Sequence, residues 1–523
     1  MGAAVLAAPV AGQEPFAASR EHFERIPEFL STLEARRMNH SEMERELEQR
    51  SRELARQLYQ DWLTQQTPAQ AEGPVVDCEG KQRTRTRIQE RELETVFGTV
   101  SVQRTGYGVV GEASLHPFDG RLNLPRERYS LQVRRRAAEE SAKNSFDEAV
   151  QTLTRYTGAH VPKRQVEQLT VQAAQDFDAF YEVRRRQAAQ TSPEAPDSLL
   201  VITGDAKGVV MHKQDLRPAT RKAAQNKHNK LHARLSKGEK PYRKRMAMVG
   251  AVYTVAPYVR TAQQVLRVLA RSDEQEEDRP TRPKPQHKRV WATLHKEPHQ
   301  VLQEAFLEAQ QRDPSLEKTW VCVVDGNKTQ LRSLKQLHRQ YQVPLTIVVD
   351  LIHVLEYLWK AAHAFAAEGS AELEQWVFQR LLRILQGQAS QVAAGMRRSA
   401  TKRRLPKKRR APVDRCAAYL LTYKAYLAYD RYLAHGMPIA TGVIEGACRH
   451  LVKDRMDLTG ARWRLTSAEA VLRLRALRAS NDFDEYWRFH EAQEYQRNHP
   501  PCYADGQVPP ILEPSTSRLR LIK

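Results

Sequence analysis

The chain has 523 residues, more than one hydrophobic core serves, so several domains are expected. Hydrophobic residues make up 41%, which excludes wholesale disorder. The net charge of +21 points to phosphate-bearing partners, nucleic acid first, with the ribosome or an anionic membrane surface as the plainer alternatives.

No apolar run approaches the roughly 20 residues that span a bilayer. The opening MGAAVLAAPVAGQEPF lacks the basic start of a secretory signal and is expected to be a frayed tail. The five cysteines form no CxxC pair, so neither a disulfide framework nor a zinc knuckle is expected, and a reducing cytoplasm fits.

Residues 1–74 form a helical region. Phe23, Ile26, Phe29, Leu30 and Leu33 recur at helical spacing, as do Met43, Leu47, Leu54, Leu58 and Trp62, which predicts a helical hairpin or coiled-coil arm. Residues 75–185 combine a β-hairpin with a helix-turn-helix-like element. The hairpin turns at Gly98, with Arg83, Arg85 and Arg87 on one strand face, either meeting phosphates or lining a solvated edge. The helix over 146–158 ends at Gly158, read as its C′ residue, and Pro162 starts the next. Lys163, Arg164 and Gln165 then occupy the first turn, where a recognition helix presents side chains to bases; a generic helix pair has the same pattern.

Residues 195–359 alternate strand and helix. Strands are predicted at 198–211, 245–258, 319–326 and 344–350, with helices at 297–311 and 328–341. The base-rich run after 212 is expected to be an exposed arm, and the proline-rich 271–289 a flexible loop. Residues 360–440 form a helical insertion whose nine-base run MRRSATKRRLPKKRRAP (396–412) is expected to be a DNA-gripping loop. Residues 441–495 complete the α/β core, and 496–523 read as a tail.

Three carboxylates stand out. Asp205 follows the apolar run LLVITG, Asp325 ends WVCVVD, and Glu445 opens EGACRHLVKDR. A lone acid after a strand is ordinarily a turn or helix cap. Three of them in a basic chain suit metal-assisted phosphodiester chemistry, where two Mg²⁺ ions about 4 Å apart serve an in-line displacement. Hard ions take carboxylate oxygens, and Mn²⁺ can substitute. No phosphate-cradling loop, nucleophile elbow or zinc-protease HExxH pair is present. Asp350, which also ends a strand, rivals Asp325, its alternative role being to cap the following helix. On the helix after Glu445, Arg449 and Lys453 fall on one stripe, facing phosphates or making ordinary surface contacts. Arg462 adds a phosphate contact, and Trp463 serves as a base-stacking surface or as core.

The blocks VITGDAKGVVM, VVDGN followed by VVDLIHVLEYLW, and above all TGVIEGACRHLVKDRMDLTGARWR, resemble the ISKra-type transposases of bacterial insertion sequences, over roughly residues 75–495. The resemblance implies a ribonuclease-H-like mixed sheet flanked by helices, with an α-helical insertion and an N-terminal α+β DNA-binding region. It also implies a DDE site of Asp205, Asp325 and Glu445, and it places the DLIHVLEYLW block after the second acid, which favours Asp325 over Asp350. The implied activity is cleavage and strand transfer at terminal inverted repeats of double-stranded DNA, by a homodimer or larger assembly in the bacterial cytoplasm, at the nucleoid. A nuclease or resolvase that cuts without joining, or a catalytically silent DNA-binding derivative, are the alternatives.

Overall fold

The computed structural model describes residues 14–66, 69–188, 198–226, 243–270 and 281–512. The N-terminal stretch through residue 13, the basic stretch 227–242 and residues 271–280 of the expected loop 271–289 lie outside the described residues, as do 513–523. Two compact units are formed, one by residues 1–176 with 484–523, the other by 177–483. Among the described residues no helix is long and apolar enough to cross a membrane.

In the first unit, helices α1 (Ala17–Leu30), α2 (Leu33–Arg37) and α3 (His40–Gln65) form the expected helical arm. Asn39 and Glu42 start α3 with a reciprocal capping box. The predicted hairpin is β1 (Arg85–Thr95) and β2 (Gly98–Gly108), joined by a two-residue turn with Gly98 at φ +128°. Arg85 and Arg87 are exposed, but Arg83 precedes the strand and is half-buried, ion-paired with Asp77 and Glu112, so no three-arginine face forms. After the short α4 (Pro117–Arg121), helices α5 (Leu131–Lys143), α6 (Phe146–Tyr156) and α7 (Lys163–Ala173) pack around Val133, Ala137, Leu153, Val161 and Val166.

Two expectations about this unit change. Gly158 stands at the expected C′ position, after the Thr157 C-cap, but without a left-handed conformation, so its role differs. Helix α6 ends at Tyr156, and the Gly158 amide donates 2.9 Å to the Val96 carbonyl in the hairpin turn. A Cβ there would lie 2.3 Å from the Phe97 carbonyl oxygen, so glycine is required by close backbone approach. Nor are residues 499–512 a loose tail. The last helix, α21 (Phe483–Asn498), lies largely in this unit, and Tyr503 and Ile511 are buried in it. The Leu512 amide donates to the Gln70 carbonyl and the Ala504 amide to Val76.

The second unit opens with α8 (Phe177–Ala188) and is built on an open five-stranded mixed sheet. Its strands are β3 (Leu199–Val210), β4 (Lys244–Val255), β5 (Gln286–Thr293), β6 (Thr319–Val324) and β7 (Leu345–Val349), in the order β5-β4-β3-β6-β7. β3, β4 and β5 pair antiparallel; β6 and β7 run parallel to β3. The first, second, fourth and fifth strands were expected. β5 was not, because its apolar half VWAT follows directly on a proline-rich charged segment that masks its alternation.

Helices α9 (Pro218–Gln225) and α10 (Ala262–Ala270) flank β4 in sequence. Then α11 (Pro298–Arg312) and α12 (Lys328–Tyr341) cover one sheet face, where Gly204 meets Leu302 and Gln330. The insertion comprises α13 (Leu351–Ala362), α14 (Ala371–Leu385), α15 (Ala389–Lys402), α16 (Lys407–Thr422) and α17 (Tyr429–Ala434). The basic run 396–412 is not a loop. Lys and Arg are good helix formers, Arg404 turns the chain at φ +48°, and Pro406 caps α16. The remaining segment, α18 (Gly442–Ala447), a π-turn (Cys448–Lys453), α19 (Asp454–Met456) and α20 (Leu465–Ala479), returns to the sheet.

Candidate active site

The site lies at the carboxyl ends of β6 and β7, beside the middle of β3. The parallel register pairs Thr203 with Val323 and Val324 with Val349. Counting on from these pairs brings Asp205, Asp325 and Asp350 to one level on three adjacent strands, which are spaced about 4.8 Å apart. The β3–β6 pairing stops at Thr203 and Val323 while β3 continues beside β4, so the β6 side of β3 is unpaired at the level of Asp205 and Asp325.

Each acid is held differently. Asp205 is half-buried. Its Oδ1 accepts from the Ala206 amide at 2.7 Å, and its Oδ2 from the Cys448 thiol at 3.4 Å. Burial first, and then the Asp205 carboxylate, push the Cys448 thiol above its ordinary range, so it remains a protonated donor. Asp205 and Gly204 point to opposite faces, as strand alternation requires. The Gly204 carbonyl is fixed from the far face by the Gln330 side-chain amide at 2.6 Å.

Asp325 is also half-buried and sits in a tight turn. Its Oδ1 accepts from the Asn327 amide at 2.8 Å, and Asn327 in turn caps α12. Its Oδ2 has no hydrogen-bond donor among the described residues. Gly326 takes φ +87°, a conformation side chains resist.

Asp350 is fully buried and its oxygens are committed. Oδ1 accepts from the Ile352 amide at 2.9 Å as the N-cap of α13, and Oδ2 meets both His353 at 3.2 Å and the Thr441 hydroxyl. Of the two rivals, Asp325 has the free oxygen and Asp350 has the capping role. The hydrogen bond from Asp350 raises the His353 imidazole above its ordinary 6.5 against the effect of burial, and the charges of Asp350, Asp325 and Glu356 add to this.

Glu445 is exposed on α18. Its Oε1 lies 3.5 Å from the Thr441 hydroxyl, whose single proton is better placed for Asp350. The segment after Glu445 is stitched to β3 twice: at Cys448, and at Trp463, whose amide donates 3.0 Å to the Val210 carbonyl.

No family model matches this chain, and no curated protein matches it.

Four tyrosines were missed at the sequence level. Tyr419 of α16 and Tyr423, its C-cap residue, donate to the carbonyls of Asp325 and Gly326 at 3.2 and 2.6 Å. Tyr429 and Tyr432 of α17 donate to Val349 and Ile347 at 2.7 and 3.3 Å. The insertion thus caps the ends of both parallel strands. The available signal was YLLTYKAYLAYDRY (419–432), with tyrosines three or four residues apart.

The other expected site residues divide. Arg449, Lys453 and Arg462 are exposed. Arg449 lies 3.9 Å from Asp454, and the π-turn widens the helix between Arg449 and Lys453, so the simple α-helical stripe does not hold. Trp463 is no stacking surface: it is 4% exposed, its indole donates 3.0 Å to the Met456 carbonyl, and buried Arg455 covers its ring. In the first unit, Lys163 and Arg164 are exposed and Gln165 half-buried on the first turn of α7. Lys163 pairs with Asp147 of α6 at 2.6 Å. Six residues, 157–162, separate α6 from α7, longer than the usual helix-turn-helix connection of 3–4.

The donor set suits a hard divalent ion: carboxylates predominate, and Glu445 Oε2 and Asp325 Oδ2 are free of protein donors among the described residues. In this conformation no three His, Cys, Asp or Glu side chains among the described residues converge closely enough to hold one.

Proposed function

We propose that this chain is a DDE transposase of the ISKra type. It would cut double-stranded DNA at the terminal inverted repeats of an insertion sequence and join the ends to target DNA. The observation that carries this is the shared level of Asp205 and Asp325 on adjacent parallel strands, with Glu445 beside them through Cys448 and Thr441. Support also comes from the sheet: three antiparallel strands followed by two parallel ones, in the order β5-β4-β3-β6-β7, are compatible with a ribonuclease-H-like core.

Asp205, Asp325 and Glu445 would hold two Mg²⁺ ions, or Mn²⁺ in their place. When bound, these supply charge neutralisation at phosphorus and lower the pKa of a water or 3′-hydroxyl. The protein's own groups orient the site. Tyr419 and Tyr423 hold the Asp325 turn, Gln330 holds the strand beside Asp205, and Asp350 holds Thr441 next to Glu445. In this reading Arg449, Lys453 and Arg462 would meet phosphates, and Lys163, Arg164 and Gln165 would read the repeats. Two ends must be brought together, so a homodimer or larger assembly in the bacterial cytoplasm, at the nucleoid, belongs to the proposal.

The test is cleavage and joining by the purified chain on duplexes carrying the DNA that flanks its gene, with Mg²⁺ or Mn²⁺. Cleavage and joining are expected, and both should be lost in Asp205→Ala, Asp325→Ala and Glu445→Ala. Cutting without joining of pre-cleaved ends would make the chain a nuclease, and activity that survives all three substitutions would remove the site.

A further inference from the structure

The helical insertion carries a second feature, at the opposite end of α16 from the tyrosines. Residues 389–413 contain nine bases and no acid. They form the α15–α16 hairpin, whose turn lies at 403–406. Arg398, Lys402, Arg403, Arg404, Lys407 and Lys408 are all exposed and have no carboxylate partner among the described residues; Asp414 engages only Arg397 and Arg410.

This tip is held in place. Arg403 and Arg409 donate to the carbonyls of Phe365 and Ala364 at 3.0 and 3.1 Å. Beneath it, Phe365 stacks on Trp376 of α14 with centroids 5.0 Å apart, and the Arg380 guanidinium lies 3.8 Å over the Trp376 ring. Burial first, and then the charges of Arg383 and Arg403, pull Arg380 down to about 10. Like charges are thus crowded around an ordered platform, at a free-energy cost that a polyanion would relieve.

We infer that the α15–α16 tip is a sequence-independent grip for the phosphate backbone of duplex DNA. Combined with the proposed active site, its position sets a distance. Lys407 to Tyr419 along α16 is twelve residues, about 18 Å at 1.5 Å per residue. At 3.4 Å per step along a strand, a duplex cut at Asp325 would meet the tip about five base pairs away.

The grip is tested with the full chain and a mixed-sequence duplex in EDTA, by fluorescence anisotropy over a KCl series. Removing four cations in Arg398→Gln/Lys402→Gln/Lys407→Gln/Lys408→Gln should flatten the log–log salt slope by up to about 3.6 and weaken binding about tenfold or more at moderate salt. Unchanged affinity and slope in a variant of wild-type helicity would overturn the inference, as would tighter binding of the wild-type chain to polyglutamate or single-stranded RNA than to the duplex. Should the variant lose helicity, acetylation of the wild-type chain decides: Lys402, Lys407 and Lys408 protected by duplex supports the grip, and equal labelling refutes it. Because metal is absent, these outcomes do not depend on cleavage. Tip binding without any DNA cutting would count against the transposase and leave the grip standing.

Discussion

The Tyr423 hydroxyl donates a 2.6 Å hydrogen bond to the carbonyl of Gly326, ninety-seven residues away and directly after Asp325. A helix of the insertion thereby holds the turn that carries a candidate acid. Tyr423→Phe should cost about 1 kcal/mol, the net worth of one such bond. Gly326→Ala should cost more, about 1–2 kcal/mol, because it forces a side chain into positive φ. The new Cβ would also lie 3.0 Å from the Tyr419 hydroxyl. Denaturant melts give both values, and DNA cleavage should fall in the same order. A Gly326→Ala protein as stable as wild type would contradict the strained turn.

Asp325 and Asp350 should separate stability from chemistry. Asp350 is fully buried and caps α13, so Asp350→Ala loses a cap and strands the Thr441 hydroxyl, at about 2–4 kcal/mol. Asp325→Ala gives up one hydrogen bond on a half-exposed side chain and should stay within about 1 kcal/mol of wild type while losing cleavage. Thermal melts beside cleavage assays distinguish the two. A stable, inactive Asp350→Ala with an active Asp325→Ala would reverse their roles.

His353 makes part of the stability pH-dependent. Its folded pKa lies above the ordinary 6.5, with the Asp350 hydrogen bond as the leading cause. Its contribution is therefore fully present below 6.5 and fades as pH rises through the folded value. The stability difference between wild type and His353→Gln should shrink as pH is raised past neutrality, and an imidazole resonance titrating above 6.5 should be seen by NMR. A difference that grows with pH would show the pair to be mis-assigned.

Gly158 is a test of the first unit alone. A methyl group at this position meets the Phe97 carbonyl at 2.3 Å, and backbone must move to admit it. Gly158→Ala should destabilise the protein by about 1–3 kcal/mol, the usual cost of overpacking. Hydrogen exchange should show the loss concentrated in β1, β2 and α6. Gly98→Ala, at φ +128°, is expected to loosen the same hairpin.

Trp463→Ala should behave as a core mutation, losing about 3–5 kcal/mol, and not as the loss of a DNA contact. Urea midpoints and duplex affinity, measured on the folded variant, provide the check. A fully stable variant with weakened DNA binding would restore the stacking role.

Much of the second unit was legible in one dimension. Buried parallel strands read as apolar runs, and an acid that interrupts such a run is conspicuous, so β3, β6 and β7 with Asp205, Asp325 and Asp350 could be placed from local pattern. The arm of α1–α3, the two-residue hairpin and the helix pair α6–α7 were equally local, set by spacing, glycine and proline.

Other features depend on partners distant in sequence. Nothing near Gly158 announces that a hairpin turn 60 residues earlier will press against it. Whether Trp463 is a surface or a core group is open until its backbone pairs with the end of β3. The tyrosines of α16 and α17 carry no meaning until their hydroxyls find the ends of β6 and β7. The choice between a capping Asp350 and an open Asp325 depends on which carboxylate oxygens already have donors. Periodicity and residue chemistry specify elements and the acids they carry; burial and hydrogen-bond partners between distant segments, which no local pattern encodes, assign each acid its part.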